Sequence, residues 1–193
     1  GCASRTGMVP SAMIQRDFNL ECVNLATSGQ ARMDFYIAQA MASIDDAICY
    51  VIDPVPNCTK DRCDTATYDF IKILRTLRPE VPIIMVEGLM YPYTRHDSYL
   101  AEYLPQKNEC FHNGYELHKK ENPKGLYYMT HDGQTGPEME GTVDGVHLTD
   151  YGFRAYADLL EIKIKEALDK TKVKYGLKPA YNVVRKKTRA QRK

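Results

Sequence analysis

The sequence lacks the motifs of several common functional classes. It contains no Walker loop and no Gly-x-Gly-x-x-Gly, so neither of these phosphate-binding loops is predicted. Its six cysteines include no Cys-x-x-Cys pair, and its five histidines are scattered rather than set at metal-ligand spacing. The longest apolar runs, at 47–52 and 81–86, fall far short of the roughly 20 residues that cross a membrane. We therefore expect no cofactor, no metal and no membrane-spanning helix.

Length and charge predict one compact domain followed by a basic tail. A chain of 193 residues with 44% hydrophobic residues can bury a sizeable core. From Lys163 to the C-terminus there are twelve basic and two acidic residues, whereas the preceding part has fourteen basic and twenty-three acidic ones. Such a basic run can attract nucleic acid or another acidic surface, but it is more often a solvated terminus. We predict a domain over 1–170 and a flexible tail over 171–193, and we do not expect nucleic acid as a partner.

Strands and helices alternate in the predicted secondary structure. Short apolar runs predict buried strands at 22–27, 47–52, 81–87 and 125–129. Helical spacing of apolar residues predicts helices at 9–18, 32–43, 65–77, 96–103, 109–119 and 153–168. This alternation favours an α/β fold with three layers, in which a mostly parallel sheet lies between helices. In such folds, ligand sites gather at the carboxyl ends of the strands.

The motif DGVH at 144–147, which runs into LTDYGF at 148–153, predicts an acid–base pair. A histidine that acts as a general base needs a partner to fix which ring nitrogen carries the proton, and Asp144 stands three residues before His147. Gly145 frees the backbone of the turn, and Thr149 or Asp150 can cap the following helix. The spacing alone is also typical of solvated loops, and the pair still lacks a nucleophile.

Two further segments end in turns that can face the same site, VNLATSG at 23–29 and AICYVIDPVPN at 47–57. With these motifs, the chain resembles the SGNH (GDSL-type) hydrolases, a family of serine esterases and acylhydrolases, over roughly residues 1–168. The resemblance implies that His147 is the base and Asp144 its partner. It also implies that the Gly29 N–H and the Asn57 side-chain amide bind the oxyanion. The segment DPVPN at 53–57 departs from the Gly-x-Asn-Asp form of the family, since it has no glycine two residues before Asn57.

The nucleophile is the part of the family pattern that the sequence does not contain. In one branch of the family, a Gly-x-Ser ends the first strand, and a loop similar to GCASRTGM at 1–8 follows it. The resemblance therefore implies that the sequence begins just after its own serine, that the first strand of the sheet is missing, and that the chain as given is inactive. Cys2, Ser4 and Ser28 are the nearest alternative nucleophiles, and each would need to lie within reach of the base.

The predicted function is carboxylic ester hydrolysis through an acyl-enzyme, without cofactor or metal, on a small-molecule or carbohydrate ester. Two other classes remain open: a non-catalytic ligand-binding module of the same fold, and a protein that binds nucleic acid or an acidic surface through its basic tail. A small disulfide between Cys58 and Cys63 also stays open for an oxidising compartment. A signal peptide ahead of the given sequence would make the protein secreted or periplasmic. The four histidines other than His147 are predicted to be surface residues.

Overall fold

The computed structural model describes residues 1–175, which form five α-helices and a three-stranded sheet. The helices are α1 (Pro10–Phe18), α2 (Phe35–Ala42), α3 (Lys60–Leu77), α4 (Ser98–Glu121) and α5 (Asp150–Leu168). The strands are β1 (Tyr50–Ile52), β2 (Ile83–Val86) and β3 (Leu126–Met129). Most of the predicted basic tail, residues 176–193, lies outside the described residues.

The sheet is parallel throughout and has the order β1-β2-β3, with Tyr50 opposite Ile83 and Ile84 opposite Tyr127. All four residues of the central strand β2 are buried, as expected for a parallel strand that is covered on both faces. Successive side chains of a strand point to opposite faces, so β2 contributes to two separate cores. The predicted α/β fold with a parallel sheet is confirmed.

Two hydrophobic clusters make up the three layers. On one face of the sheet, Ile83 and Met85 pack with residues of α2, α3 and α4, among them Phe70 and Phe111. On the other face, Ile84, Val86, Tyr127 and Met129 pack with residues of α1 and α5. The helices at 9–18 and 153–168 and the strands at 81–87 and 125–129 are thereby confirmed, with small shifts at their ends.

The strand predicted at 22–27 is wrong. These residues form neither helix nor strand, and Val23 and Leu25 are 53% and 39% exposed. A strand is held by hydrogen bonds to a neighbour, and β1 pairs only with β2 within residues 1–175. Residues 22–27 line the groove beside the unpaired edge of β1 but make no backbone hydrogen bond to it, so their apolar composition alone does not make them a strand.

The two helices predicted at 96–103 and 109–119 are a single helix, α4, which runs through Pro105. A proline inside a helix removes one backbone hydrogen bond and usually kinks or ends it. Here the helix continues because its buried face, with Leu104, Phe111 and Tyr115, is packed into the protein beside α3. Asp97 caps the beginning of the helix by accepting a hydrogen bond from the Leu100 N–H at 2.9 Å.

Candidate active site

Asp144 and His147 form the predicted pair. Asp144 Oδ2 lies 2.7 Å from His147 Nδ1, and Asp144 Oδ1 accepts the backbone N–H groups of Val146 at 2.9 Å and His147 at 2.7 Å. The turn needs Gly145, whose φ of +85° lies in the left-handed region. The hydrogen bonds from the His147 backbone, the His147 ring and the Val146 backbone lower the pKa of Asp144. The carboxylate is therefore held in its charged form beside the ring.

Backbone pairing holds the loop of this pair on both sides. The Val143 N–H donates to His147 O at 2.9 Å, and the Thr149 N–H donates to Gly141 O at 2.9 Å. The Thr149 side chain then caps α5 by accepting the Gly152 N–H at 3.3 Å. Gly152 is required at this position, because a Cβ there would lie 2.0 Å from Gly141 O. The sequence LTDYG thus fixes where α5 begins relative to His147.

The imidazole of His147 is accessible to a reacting group. The His147 side chain is 55% exposed and the Asp144 side chain is 49% exposed. Because Nδ1 is bound to Asp144, the second ring nitrogen, Nε2, is the atom left for proton transfer. Among residues 1–175, no hydroxyl or thiol group makes a hydrogen bond to this nitrogen.

Gly29 and Asn57 lie on two neighbouring turns. Gly29 has a φ of +68° in an exposed turn, and Asn57 ends the short helical turn that follows β1. Cys58 Sγ lies 4.0 Å from Ala31 O, and Arg62 donates to Arg32 O at 2.8 Å, so the two turns are held against each other. In the described part of the chain, neither the Gly29 N–H nor the Asn57 side-chain amide has a hydrogen-bond acceptor, and no hydrogen bond joins either residue to His147. Arg62, which anchors the Gly29 segment, has no signal in the sequence.

The N-terminal residues lie beside the base. The Cys2 N–H donates to the carbonyl of Leu148, the residue after His147, at 2.8 Å. The Ser4 N–H donates to Asp150 Oδ1 at 2.8 Å and its hydroxyl donates to Asp150 Oδ2. Gly1 packs so closely on Phe153 that a Cβ would lie 2.1 Å from its ring. These contacts occupy the Ser4 hydroxyl with Asp150 rather than with His147.

A groove of about 350 Å³ lies along β1 and opens between the two cores. Its apolar walls include Ile14, Val23, Leu25, Met33, Val51 and Leu160. Asp53, at the carboxyl end of β1, faces this groove and accepts a hydrogen bond from the Tyr156 hydroxyl at 2.8 Å. Asp53 is exposed to solvent at the groove, but the apolar groups around its carboxyl disfavour the charged form and raise its pKa to about 6.

A second imidazole–carboxylate pair, Glu87–His131, escaped the sequence analysis. His131 Nδ1 lies 2.7 Å from Glu87 Oε2, and the Glu87 side chain is 11% exposed.

The prediction that the remaining histidines are surface residues is wrong for His118, which is 4% exposed. Cys58 and Cys63 are free thiols in this structure.

Two features that would point to other functions are absent from residues 1–175. No group of three or more His, Cys, Asp and Glu side chains within residues 1–175 is arranged to hold a metal ion. None of the helices described is both long enough and apolar enough to cross a bilayer.

The α/β fold with a parallel sheet between helices matches that of SGNH hydrolase structures. The chain belongs to the GDSL-like lipase/acylhydrolase family, whose sequence model matches residues 1–165. Its structure is similar to that of a protein described as a GDSL-like lipase from Bacteroides ovatus, with 32% sequence identity and a TM-score of 0.81 over 86% of this chain and 49% of that one. Comparison with the curated proteins gives no significant match.

More distant structures share the fold. One is a salicylyl-acyltransferase from a tetracycline biosynthetic pathway, at 18% identity with a TM-score of 0.67, over 86% of this chain and 51% of that one. Another is a family two carbohydrate esterase from Clostridium thermocellum, at 15% identity with a TM-score of 0.58, over 86% of this chain and 55% of that one. The chain therefore spans about half the length of each of these three solved structures.

Proposed function

We propose that this chain supplies the base and the oxyanion site of a carboxylic ester hydrolase. The observation that carries the proposal is the 2.7 Å contact between Asp144 and the exposed His147, within a family of lipases and acylhydrolases. Asp144 holds one ring nitrogen and stabilises the imidazolium that forms, which leaves the other nitrogen to take a proton. The substrate class is a small-molecule or carbohydrate ester.

The nucleophile in this proposal is a serine on an extended segment that precedes Gly1. Two contacts support it: Gly1 packs on Phe153, and the Cys2 N–H binds the carbonyl next to His147. A residue attached to Gly1 would therefore lie close to the base. By contrast, the Ser4 hydroxyl is bound to Asp150, and Ser28 lies in an exposed turn.

The groove along β1 supports the same placement. The Tyr50 N–H donates toward β2, at 2.9 Å from Pro82 O, so the N–H and C=O of Val51 point to the opposite edge of the strand. No strand within residues 1–175 pairs with that edge, and the groove beside it has apolar walls. An extended apolar segment can pair with β1 there and end near Asp53, beside the helix that Gly1 contacts through Phe153.

The reaction then follows the acyl-enzyme route. The serine oxygen attacks the carbonyl carbon of the ester while its proton passes to His147, and the carbonyl oxygen becomes an oxyanion. The Gly29 N–H and the Asn57 amide donate to that oxyanion, for which both donors are unoccupied by other acceptors in the described part of the chain. His147 returns the proton to the departing alcohol. Water, which gives a proton to His147, then attacks the acyl-enzyme carbonyl, which releases the acid and restores the serine.

Three proteins test the proposal: the 193-residue chain, the chain extended by its preceding segment with the serine, and the extended chain with that serine replaced by alanine. We expect ester hydrolysis above background only from the second, measured with a short-chain aryl ester. Both extended proteins should melt at a higher temperature than the 193-residue chain, because the added strand fills the groove. Turnover by the 193-residue chain that Ser4→Ala or Cys2→Ala abolishes would overturn the placement of the nucleophile.

The same three proteins separate the enzyme from a binding module. If the extended chain is stabilised yet turns over no ester, while an ester analogue still binds and shifts its melting temperature, the site binds without catalysis. Interaction with nucleic acid through the basic tail is a separate hypothesis that rests on residues outside the described part of the chain. Retention on DNA at physiological salt would favour it, since nonspecific contacts weaken steeply as salt rises.

A further inference from the structure

Glu87 makes a dense set of hydrogen bonds at the carboxyl end of β2. Its Oε1 accepts a hydrogen bond from the Tyr128 hydroxyl at 2.9 Å. Its Oε2 accepts the backbone N–H of His131 at 3.0 Å and lies 2.7 Å from the ring nitrogen His131 Nδ1. Its backbone N–H donates to Met129 O at 3.0 Å. The residue is 8% exposed, so these donors replace most of the water that a free carboxylate would bind.

These bonds fix the start of the loop that leads to the base. Gln134 spans the turn, because its side-chain amide donates to Glu87 O at 3.0 Å and to Thr130 O at 3.2 Å. Gln134 and Thr135 are 1% and 5% exposed, although they belong to a loop. The start of the loop is therefore anchored to the end of β2 through His131 and Gln134, with Gln134 and Thr135 buried and Thr130, Asp132 and Gly133 exposed.

The same loop then supports the Asp144–His147 turn. The Gly141 N–H donates to Thr135 O at 2.9 Å, which joins the far part of the loop to its anchored start. The Gly141 carbonyl accepts the Thr149 N–H at 2.9 Å and the Thr149 hydroxyl at 3.2 Å. The Glu87 carboxylate binds His131, whose carbonyl accepts the Gln134 N–H at 3.2 Å, and the chain continues to Thr135. Hydrogen bonds then join Thr135 to Gly141 and Gly141 to Thr149, two residues after His147.

We propose that Glu87 is a positioning residue, whose carboxylate places the loop that holds His147 and Asp144 in register with the sheet. The inference concerns the site of the proposed esterase, and so its catalytic meaning rests on that function. Glu87 touches no reacting atom in this account. It acts by keeping the loop in place, because a shift of a catalytic group by about 1 Å can lower a rate about a hundredfold.

The choice of substitutions separates positioning from bulk stability. Glu87→Leu removes acceptors from three donors, whereas Glu87→Gln keeps an oxygen for His131 and a polar group for Tyr128. Glu121→Leu is the matched control, because Glu121 accepts the Tyr68 hydroxyl at 2.6 Å as Glu87 accepts that of Tyr128, but on the exposed end of α4. His131→Ala removes only the imidazole contact, and it serves if Glu87→Leu does not fold.

Amide hydrogen exchange in the 193-residue chain gives the first readout. The Val143 and Thr149 amides report the pairing of the loop, and the Ile83 amide, which donates to Gly125 O at 2.9 Å, reports the core. We expect Glu87→Leu to speed exchange at Val143 and Thr149 at least about tenfold more than at Ile83, while Glu87→Gln and Glu121→Leu stay near the parent. His131→Ala should give a smaller change at the same amides. Equal acceleration at all three amides in Glu87→Leu would show a merely structural role and overturn the proposal.

The second readout is kinetic and uses the extended enzyme. We expect Glu87→Leu to lower kcat about tenfold to a hundredfold with KM changed by less than about threefold, and Glu87→Gln to recover most of kcat. An unchanged kcat in a folded Glu87→Leu enzyme would also contradict the proposal. The exchange result does not depend on ester hydrolysis, so an inactive extended enzyme with the expected exchange pattern would reject the proposed function and retain the role of Glu87.

Discussion

Two imidazole–carboxylate pairs in this protein have the same local geometry and different surroundings. In both Asp144–His147 and Glu87–His131, the histidine Nδ1 lies 2.7 Å from a carboxylate oxygen. The side chains of the first pair are 49% and 55% exposed, whereas Glu87 is 11% and His131 37% exposed. The first pair stands on a hydrogen-bonded turn open to an incoming group, and the second joins the sheet to a loop. The hydrogen bond itself therefore does not distinguish the pair proposed to be catalytic from the pair proposed to position it; solvent access and the contacts around each pair do.

The largest effect that distinguishes the pairs is expected from removing each imidazole in the extended enzyme. His147→Ala should lower kcat by about 10⁴-fold or more, because no other group can take the proton of the serine. His131→Ala should lower kcat by no more than about tenfold, because it weakens only one contact of the anchor. Steady-state hydrolysis of an aryl ester measures both. If the two substitutions had equal effects, the assignment of His147 as the base would be wrong.

The carboxylates should differ by the next largest margin. Asp144→Asn leaves the ring in place but favours the wrong tautomer and removes the charge beside the imidazolium, so kcat should fall by about 10³- to 10⁴-fold. Glu87→Gln should stay within about threefold of the parent enzyme, because an amide can still bind the donors around it. The rate ratio of the two variants is the measurement. A larger loss in Glu87→Gln than in Asp144→Asn would reverse the roles given to the two pairs.

A smaller effect is expected from the proposed oxyanion site that serves the exposed Asp144–His147 pair. Asn57→Ala should lower kcat by about 10²- to 10³-fold, the range for losing one oxyanion donor, with little change in KM. Asn122→Ala, at the end of α4, is a control that removes an amide outside the proposed site. Single-turnover rates of acylation in the extended enzyme would show the difference. Rates that Asn57→Ala leaves unaltered would remove Asn57 from the site.

The smallest expected effect concerns pH and a third carboxylate, Asp53, which is paired with a tyrosine instead of a histidine. Its pKa is raised to about 6 in the folded chain, so the folded state binds its proton more tightly than the unfolded state does. This group therefore makes the free energy of unfolding fall as pH rises from about 4 to 6. Denaturant unfolding of Asp53→Asn should show a flatter profile in that window.

Asp144 should have the opposite sign in the same measurement. Its pKa is lowered by the hydrogen bonds of His147 and Val146, so its contribution to stability is present above about pH 4 and is lost as the solution is acidified below that value. Asp144→Asn should therefore remove part of the acid loss and leave the window above it unchanged. If Asp53→Asn and Asp144→Asn moved the profile in the same direction, one of the two environments would be described wrongly.

The sequence predicted the elements whose information is local. The helix period at 153–168 and a cap at Thr149 or Asp150, which the structure assigns to Thr149, located α5, and DGVH placed a carboxylate one turn from an imidazole. Buried parallel strands were visible as apolar runs because both of their faces are covered. The same rule failed at 22–27, where an apolar run lies beside a sheet edge that no described strand pairs. A different prediction failed around Pro105, where two helices were expected and packing against α3 keeps α4 continuous.

What the amino-acid order determined by itself was the fold class and the pair formed by residues three apart, because a helix period, a strand period and a tight turn each depend on neighbours in the chain. Only the tertiary structure brought Glu87 to His131, 44 residues later, and Ser4 to Asp150, 146 residues later. Such contacts depend on which strand ends meet at one edge of the sheet and on which loops they bury. No local pattern of side chains encodes these long-range contacts. The exposed Asp144–His147 pair could therefore be predicted from the sequence, whereas the Glu87–His131 pair could not.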